Sequence, residues 1–158
     1  MPKVELKSNG ATVKLLTGLA GFDFSKPMME ATGKVVVQSI HRNIKNQVQG
    51  DGSPLKRNAP STMERKRRKG RVQRSLVDQF RRFVSRAMSF SVTASKSIVT
   101  IRPTGYSGGG KVGVDKLSGY VQKMGYTGWF AIDSMGAKKI RFIVRKRIQH
   151  VLAKSRTP

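Results

Sequence analysis

The chain has 158 residues, of which 32 are Lys or Arg and 8 are Asp or Glu, so its net charge at pH 7 is +24. This length fits one domain with a single modest core, and the charge indicates a polyanionic partner, because Lys and Arg gain affinity by releasing counterions from phosphates. The absence of cysteine excludes disulfides, cysteine-based zinc sites and thiol catalysis, and no apolar run approaches the roughly 20 residues of a membrane span.

The N-terminal segment, residues 1–24, predicts a β-hairpin and a connection. Residues 3 to 16 alternate polar and apolar side chains around Asn9 and Gly10. An Asn-Gly pair between two alternating runs is typical of a tight hairpin turn, because both residues tolerate positive φ. We therefore expect two short antiparallel strands at the start of the chain.

A long helix is predicted over residues 27–48. Ser25 can cap it, and Pro27 fits its first turn because that position has no intrahelical use for an amide proton. Gly50 and Gly52 supply the stop. The apolar positions recur mainly at four-residue steps and form one face for a core, composed of Met29, Val36, Val37, Ile40, Ile44 and Val48.

Residues 50–75 carry dense positive charge and predict a long basic loop or arm. Between residues 56 and 75 only Glu64 opposes the basic side chains, and like charges at this density resist compact packing. Ser61 to Glu64 has the form of a cap for a short helical turn within the loop. The basic residues are Lys56, Arg57, Arg65, Lys66, Arg67, Arg68, Lys69, Arg71 and Arg74.

Residues 76–152 predict a short helix, an antiparallel sheet and a C-terminal helix. Apolar residues at helical spacing from Leu76 to Ala87 indicate the short helix. Alternation from Phe90 to Ile101 indicates a hairpin, and the aromatic stretch from Tyr120 to Ile132 indicates one or two further strands. Five glycines between positions 105 and 113 predict a flexible loop.

The last helix has the clearest period and is expected to follow a cap at Asp133 or Ser134 and to precede a frayed tail, 153–158. This last helix has an apolar face of Ile140, Ile143, Val144, Ile148, Val151 and Leu152, opposite Lys138, Lys139, Arg141, Arg145, Lys146 and Arg147.

The chain as a whole is predicted to be a single α+β domain, with two main helices packed on a small antiparallel sheet.

No catalytic, cofactor or metal site is predicted. The eight carboxylates are scattered singly along the chain, whereas acid–base and metal chemistry needs converging groups. His41 and His150 lack partners at metal-ligand spacing and are expected at the surface or the edge of the core. The stretch from Gly105 to Lys111 shares glycines with a phosphate-binding P-loop, but Lys111 is not followed by Ser or Thr.

Two positively charged surfaces, the basic loop and the basic face of the last helix, predict direct contact with a polyanion. The cluster from Arg65 to Arg74 also fits a solvated surface or a nuclear-import-like patch. Tyr106, Tyr120, Tyr126 and Trp129 have the spacing of core residues in strands, which favours backbone contact over base stacking. The predicted polyanion-binding residues are Lys56, Arg57, Arg65, Lys66, Arg67, Arg68, Lys69, Arg71, Arg74, Lys138, Lys139, Arg141, Arg145, Lys146 and Arg147.

The order of these features resembles the virion-morphogenesis family of tailed bacteriophages, which supplies tail-completion or neck proteins. The resemblance covers roughly residues 27 to 152. It departs from the family pattern at Val121, where Ala is usual, and at Lys123-Met124, where His-Gln is expected. The matching elements are the long helix, Gly52-Ser53-Pro54-Leu55, Ala59-Pro60-Ser61-Thr62 with the basic run, Ser75-Leu76-Val77, the paired strands, the Tyr120 to Gly125 stretch and the closing basic helix.

The resemblance implies a subunit of a ring, with six copies expected, at the head–tail junction of a virion assembled in the host cytoplasm. Neighbouring connector and tail proteins and the end of a double-stranded DNA would be its partners, and its basic surface would contact either the DNA or an acidic neighbour. The scattered carboxylates predict that it is not an enzyme. A ribosomal or other RNA-binding protein is the alternative, because charge and length alone fit it equally well. A nuclease would need an acidic metal cluster, which the isolated carboxylates do not indicate.

Overall fold

The structure, a computed structural model, describes residues 3–7, 10–14, 25–70, 90–95, 98–104, 123, 125 and 128–154. They form an α+β fold, as predicted from the sequence. The predicted short helix between positions 76 and 87 and the glycine loop at 105–113 lie outside the described residues. In chain order the elements are β1 (Lys3–Lys7), β2 (Gly10–Lys14), α1 (Lys26–Asn46), α2 (Pro60–Arg68), β3 (Phe90–Ala94), β4 (Ile98–Pro103) and α3 (Ser134–Lys154).

The described strands form one antiparallel sheet in the order β1-β2-β4-β3. The hairpin predicted from the alternation after Ser89 is confirmed as β3 and β4, whose register places Val92 opposite Ile101. β1 pairs with β2 in a register that places Lys7 opposite Gly10, and Asn9 of the predicted turn lies outside the described residues. β2 also pairs with β4, so β4 joins the two hairpins.

Helix α1 provides one wall of the core and lies against β3 and β4. Gly33 is the point of closest approach, because a Cβ there would overlap Val92 Cγ1 and lie 2.9 Å from Val99 Cγ1. The predicted apolar face of α1 is confirmed within the helix, where Met29, Val36, Ile40 and Ile44 are at most 1% exposed.

The end of α1 is set by Gln47 rather than by the two glycines. Gln47 adopts a left-handed conformation with φ of 58°, and its backbone N–H reaches the carbonyls of Asn43 and Ile44. This satisfies helix-terminal carbonyls in the way that glycine usually does. The helix therefore ends at Asn46, and Val48, predicted as its last apolar position, forms a bridge with Pro54 instead.

Helix α3 packs antiparallel along α1, because residues later in α3 contact residues earlier in α1. Arg42 bonds Asp133, Ser39 lies against Gly136, and Val35 lies beside Ile143. A Cβ on Gly136 would overlap Ser39 Oγ, so the two backbones approach as closely as a glycine allows. The helix extends to Lys154, two residues into the segment predicted as a frayed tail.

The prediction of a strand through the end of the aromatic stretch is wrong for residues 128–132. These residues form an irregular segment before α3. Gly128, at φ of 79°, accepts a hydrogen bond from the N–H of Gly50, and Trp129 is fully buried. Aromatic content signals burial here, but a positive-φ glycine and tertiary hydrogen bonds override the strand propensity.

Candidate nucleic-acid interface

A tight turn after α1 positions the first basic residues. The N–H of Gln49 donates to Ser53 O at 2.7 Å, and the N–H of Leu55 donates to Gln47 O at 2.9 Å. Asp51 accepts from the backbone and hydroxyl of Ser53 at 2.9 and 2.6 Å, which lowers the pKa of its carboxyl. Leu55 is buried and fixes the chain just before Lys56 and Arg57, which are both exposed.

The basic segment folds as a helix over Pro60–Arg68, which corrects the prediction of a loop or arm for those residues. Pro60 starts α2, and the basic side chains of its last turn lie near the negative end of the helix dipole. A helix also distributes the like charges around its circumference. Sequence reasoning found the charge density but underestimated how far a helix relieves it.

Lys66 is on the inner side of α2 and is only 6% exposed. It therefore does not belong to the predicted polyanion surface, which is a second correction. Thr62 and Met63, four and three residues earlier, share this inner side and are partly buried. Met63 Sδ lies 3.8 Å from the side-chain nitrogen of the buried Asn58. The stem of a lysine can cover apolar surface, and the low exposure of Lys66 places it on the covered side of α2.

The outer side of α2 carries a cluster of exposed cations, which we call the α2 cluster. Its members come from the last turn of the helix and the residue after it, and Lys56 and Arg57 are exposed shortly before the helix. Residues three and four apart on a helix are neighbours, so Arg65 lies close to Arg68 and Lys69, and the carboxylate of Glu64 joins Arg67 to Arg68. Arg71 and Arg74 lie outside the described residues. The α2 cluster consists of Arg65, Arg67, Arg68 and Lys69.

Glu64 partly neutralises the α2 cluster. Its carboxylate accepts two hydrogen bonds from Arg67, both at 2.8 Å, and one from Arg68 Nε at 3.0 Å. These bonds lower the pKa of Glu64, and the hydrogen bonding from Arg67 has the larger effect. Both guanidinium groups remain largely exposed, so each keeps donors for an external phosphate while Glu64 fixes its orientation.

Helix α3 carries the second basic surface. Seven Lys and Arg residues and no Asp or Glu occur between Ser134 and Lys154. Arg147 was predicted on this face but is partly buried, and its Nε is enclosed without a hydrogen-bond partner. At 100° per residue Arg147 falls on the side of Ile140, which explains its position. The exposed members are Lys138, Lys139, Arg141, Arg145 and Lys146.

Trp129 belongs to the core, as its position in an apolar stretch predicts, and does not offer a stacking surface. It is 0% exposed and meets Phe130 edge to face at 5.3 Å. The side-chain amide of Asn43, which is 1% exposed, donates to the carbonyls of Trp129 and Ala131 at 3.1 and 2.9 Å. Tyr106, Tyr120 and Tyr126 lie outside the described residues. Of the four aromatic residues considered for stacking, only Trp129 is described, and it is not available to stack on a base.

Asp133 resolves the alternative caps for α3 and ties that helix to α1. Its Oδ1 accepts from the N–H of Gly136 at 2.7 Å, which makes Asp133 and not Ser134 the N-cap. Ser39 Oγ donates to the same oxygen at 2.9 Å. Hydrogen bonds from Arg42 are the main reason why the pKa of Asp133 lies far below its usual range. This carboxylate has a structural use.

The histidines occupy the places expected of them. His41 is at the edge of the core, 5.4 Å from the ring of Phe90, and burial lowers its pKa. His150 is exposed. In the part of the chain that the structure describes, no three His, Cys, Asp or Glu side chains are grouped to hold a metal ion.

Sequence reasoning missed two exposed apolar side chains on α3. Phe142 is 58% exposed and Met135 is 52% exposed, whereas Leu152, predicted for the apolar face, is 53% exposed. The signal was available, since at 100° per residue Phe142 falls between Lys138 and Lys146 on the basic face. The run of Ile and Val beside it concealed this position.

Comparison with family models, with curated proteins and with solved structures gives no match for this chain. Among the described helices, none is both long enough and apolar enough to cross a membrane. Functional inference therefore depends on the residues of this chain.

Proposed function

We propose that this chain is a structural subunit of a neck or tail-completion ring at the head–tail junction of a tailed bacteriophage virion, and that its α2 cluster contacts DNA phosphates. The support is the order of the motifs along the sequence, together with an α+β fold that has two long helices and a basic segment between them. Sequence-independent contact with the phosphate backbone suits a protein that meets whichever genome end is packaged.

The observation that carries the proposal is the geometry of α2. Lys66 and Leu55 are buried whereas Arg65, Arg67, Arg68 and Lys69 are exposed, so the cluster faces outward from α2 and the residue that follows it. Arg in particular can bind phosphate through two parallel N–H donors. Glu64 is the single carboxylate in this helix and leaves the local charge positive.

A ring at the head–tail junction would give these charges a further advantage. Copies related by rotation would present the same cluster around one axis, and six copies are expected from the family resemblance. Their fields would add at the centre, where a DNA end is held. Each subunit would contact another copy of this chain on either side. The ring would contact connector proteins on one face and tail proteins on the other.

Native mass spectrometry of the purified chain, with and without a DNA duplex of about 20 base pairs, tests the assembly and the contact together. We expect a closed oligomer whose DNA affinity falls steeply with salt and does not depend on base sequence, at a slope of roughly 0.9 per phosphate neutralised. A persistent monomer that prefers structured RNA would instead support the RNA-binding alternative.

The contribution of the α2 cluster is measured with matched double variants. Arg65→Gln with Lys69→Gln should lower the slope of log affinity against log salt by roughly two. Lys26→Gln with Lys34→Gln removes the same charge from exposed positions of α1 and is the control. Equal losses in the two double variants would mean that total charge, and not the α2 cluster, governs binding.

A further inference from the structure

The outward face of α3 combines apolar and basic side chains in a way that phosphate contact does not explain. Met135 and Phe142 are seven residues apart, so they lie on the same side of the helix, and each is more than half exposed. Lys146 Nζ lies 4.9 Å from the centre of the Phe142 ring. Single exposed apolar residues are ordinary, but a stripe of two large ones within a basic face is a candidate binding surface.

A groove beside Phe142 gives this stripe a receptor shape. It lies between α1 and α3, has a volume of about 390 Å³, and is lined by Val35, Lys138, Lys139, Phe142 and Ile143. Its accessible wall is almost wholly apolar, which shows that the two lysines contribute their methylene stems. The groove is therefore an apolar floor with positive charges at its rim.

We propose that this groove binds an acidic amphipathic helix of a partner protein. An apolar side chain of that helix would fill the groove beside Phe142, and its carboxylates would pair with Lys138, Lys139 and Lys146. Helix-in-groove recognition works by such apolar anchors at helical spacing, and opposite charge at the rim selects the partner and speeds association.

Charge decides against the other occupants. A second copy of α3 would bring another seven basic residues and no carboxylate against the first, and the whole chain carries +24. Double-stranded DNA would satisfy the lysines but would leave Phe142 and the groove against a charged backbone, so their apolar area would gain little. An acidic helix satisfies both features at once.

The proposal is independent of the DNA contact assigned to α2, because it uses a different helix and a different chemistry. The two can therefore fail separately. The volume of the groove accommodates one or two large side chains, so a short helical segment is sufficient as a ligand.

The natural chain contains no cysteine, which allows a unique thiol to report on the groove. Gln149→Cys, at an exposed position seven residues after Phe142 on the same side of α3, is labelled with an environment-sensitive dye. It is titrated with a synthetic helical peptide of about 16 residues that has Leu at i, i+3 and i+7 and Glu on the flanking positions. A matched peptide has Gln in place of every Glu. We expect saturable binding of the Glu peptide and at least about tenfold weaker binding of the Gln peptide.

Variants in the labelled background locate the site. Lys138→Glu with Lys139→Glu, and separately Phe142→Ala, should each weaken peptide binding about tenfold. Arg65→Glu with Lys69→Glu makes the same charge change on α2 and should leave the affinity within about twofold. The circular dichroism and melting temperature of each variant establish that it is folded.

Four results would overturn the proposal. Failure of the thiol to react with the dye in the free protein would show that another part of the same chain covers this face of α3. A dye signal that changes with protein concentration alone would identify a second copy as the occupant. The third is displacement of the Glu peptide by a DNA duplex from both the parent and the α2 variant. The fourth is a loss of peptide affinity in the α2 variant as large as that in the groove variants.

Discussion

Asp133 and Arg42 form a two-pronged ion pair between the start of α3 and the middle of α1. Arg42 Nε donates to Oδ2 at 2.6 Å and Nη2 donates to Oδ1 at 2.8 Å. Both side chains are largely covered, with 28% and 18% of their surface exposed. The same carboxylate also caps α3, so one residue fixes both the start of that helix and its position on α1.

Asp133→Asn should lower the free energy of unfolding by about 2 kcal/mol at pH 7, because it leaves Arg42 partly buried without its counter-charge. The pKa of Asp133 is depressed in the folded state, so its contribution is complete above the unfolded pKa of about 3.9 and is lost as pH falls towards the folded pKa. The difference between parent and variant in urea unfolding should therefore shrink below about pH 4.

Glu30→Gln is the control for this measurement, since Glu30 is an exposed carboxylate of α1. Its effect at pH 7 should stay within about 0.5 kcal/mol. A difference between Asp133→Asn and the parent that is unchanged between pH 7 and pH 3 would contradict the ion-pair interpretation.

Gly136→Ala should destabilise the protein by about 1–3 kcal/mol, despite the higher helix propensity of alanine, because the new Cβ would overlap Ser39 Oγ. Ser39→Ala removes that oxygen. The double variant should therefore recover part of the loss, which a double-mutant cycle on unfolding free energies measures. Strict additivity of the two changes would show that this contact does not set the spacing of α1 and α3.

Asn43→Leu should cost about 2–3 kcal/mol, because it keeps the size of the side chain but leaves the carbonyls of Trp129 and Ala131 without their donor. Chemical unfolding followed by the fluorescence of Trp129, the one tryptophan of the chain, reports the change directly. Asn46→Leu, at an exposed position of the same helix, is the matched control. Comparable losses in both variants would contradict a specific role for Asn43.

His41 should make stability depend on pH between about 7.5 and 5. Burial lowers its pKa, so the folded state resists protonation, and its contribution is present above the unfolded pKa of about 6.5 and is lost as pH falls below it. His41→Gln should flatten this part of the stability profile, whereas His150→Gln, at an exposed position, should preserve it. A profile that His41→Gln leaves unchanged would contradict this role of His41.

Glu64→Gln should strengthen DNA binding about two- to fivefold at low salt, because Arg67 and Arg68 lose their internal carboxylate. The gain should fade as added salt screens the charges. Glu30→Gln changes the total charge by the same amount on α1, and fluorescence anisotropy with a labelled duplex compares the two. An equal gain in both variants would show that α2 has no special place in the interface.

The periodic parts of the fold were predictable because one side of each element is buried. The faces of α1 and of the β3–β4 hairpin follow from spacing alone. Trp129 was predicted to be buried, but not the irregular backbone that carries it, because Asn43 is distant in sequence and its amide bonds this segment only in the folded chain. The sequence left two candidates for the N-cap of α3, Asp133 and Ser134. The choice between them could not be predicted, because Asp133 is held by tertiary hydrogen bonds from Ser39 and Arg42.

The candidate interface was predictable in composition and not in geometry. Charge density indicated the segment around Arg65 as a candidate, and like-charge repulsion was given too much weight against a helix there. Lys66 and Arg147 could not be separated from their exposed neighbours without knowledge of which side of each helix faces inward. A lysine counted from a sequence is a charge, whereas in the fold it can equally be a hydrocarbon stem.

The burial of Lys66 has a thermodynamic consequence for any ligand of α2. Arginine-rich segments that fold on contact with a polyanion must supply ordering entropy at that moment, which reduces their net affinity and gives a large heat-capacity change. Here one lysine of the basic run is placed inside the protein, and Arg65, Arg67 and Arg68 are held on an already folded helix. Calorimetry should accordingly find a heat-capacity change near zero, with binding driven by the release of ions and not by the folding of the protein.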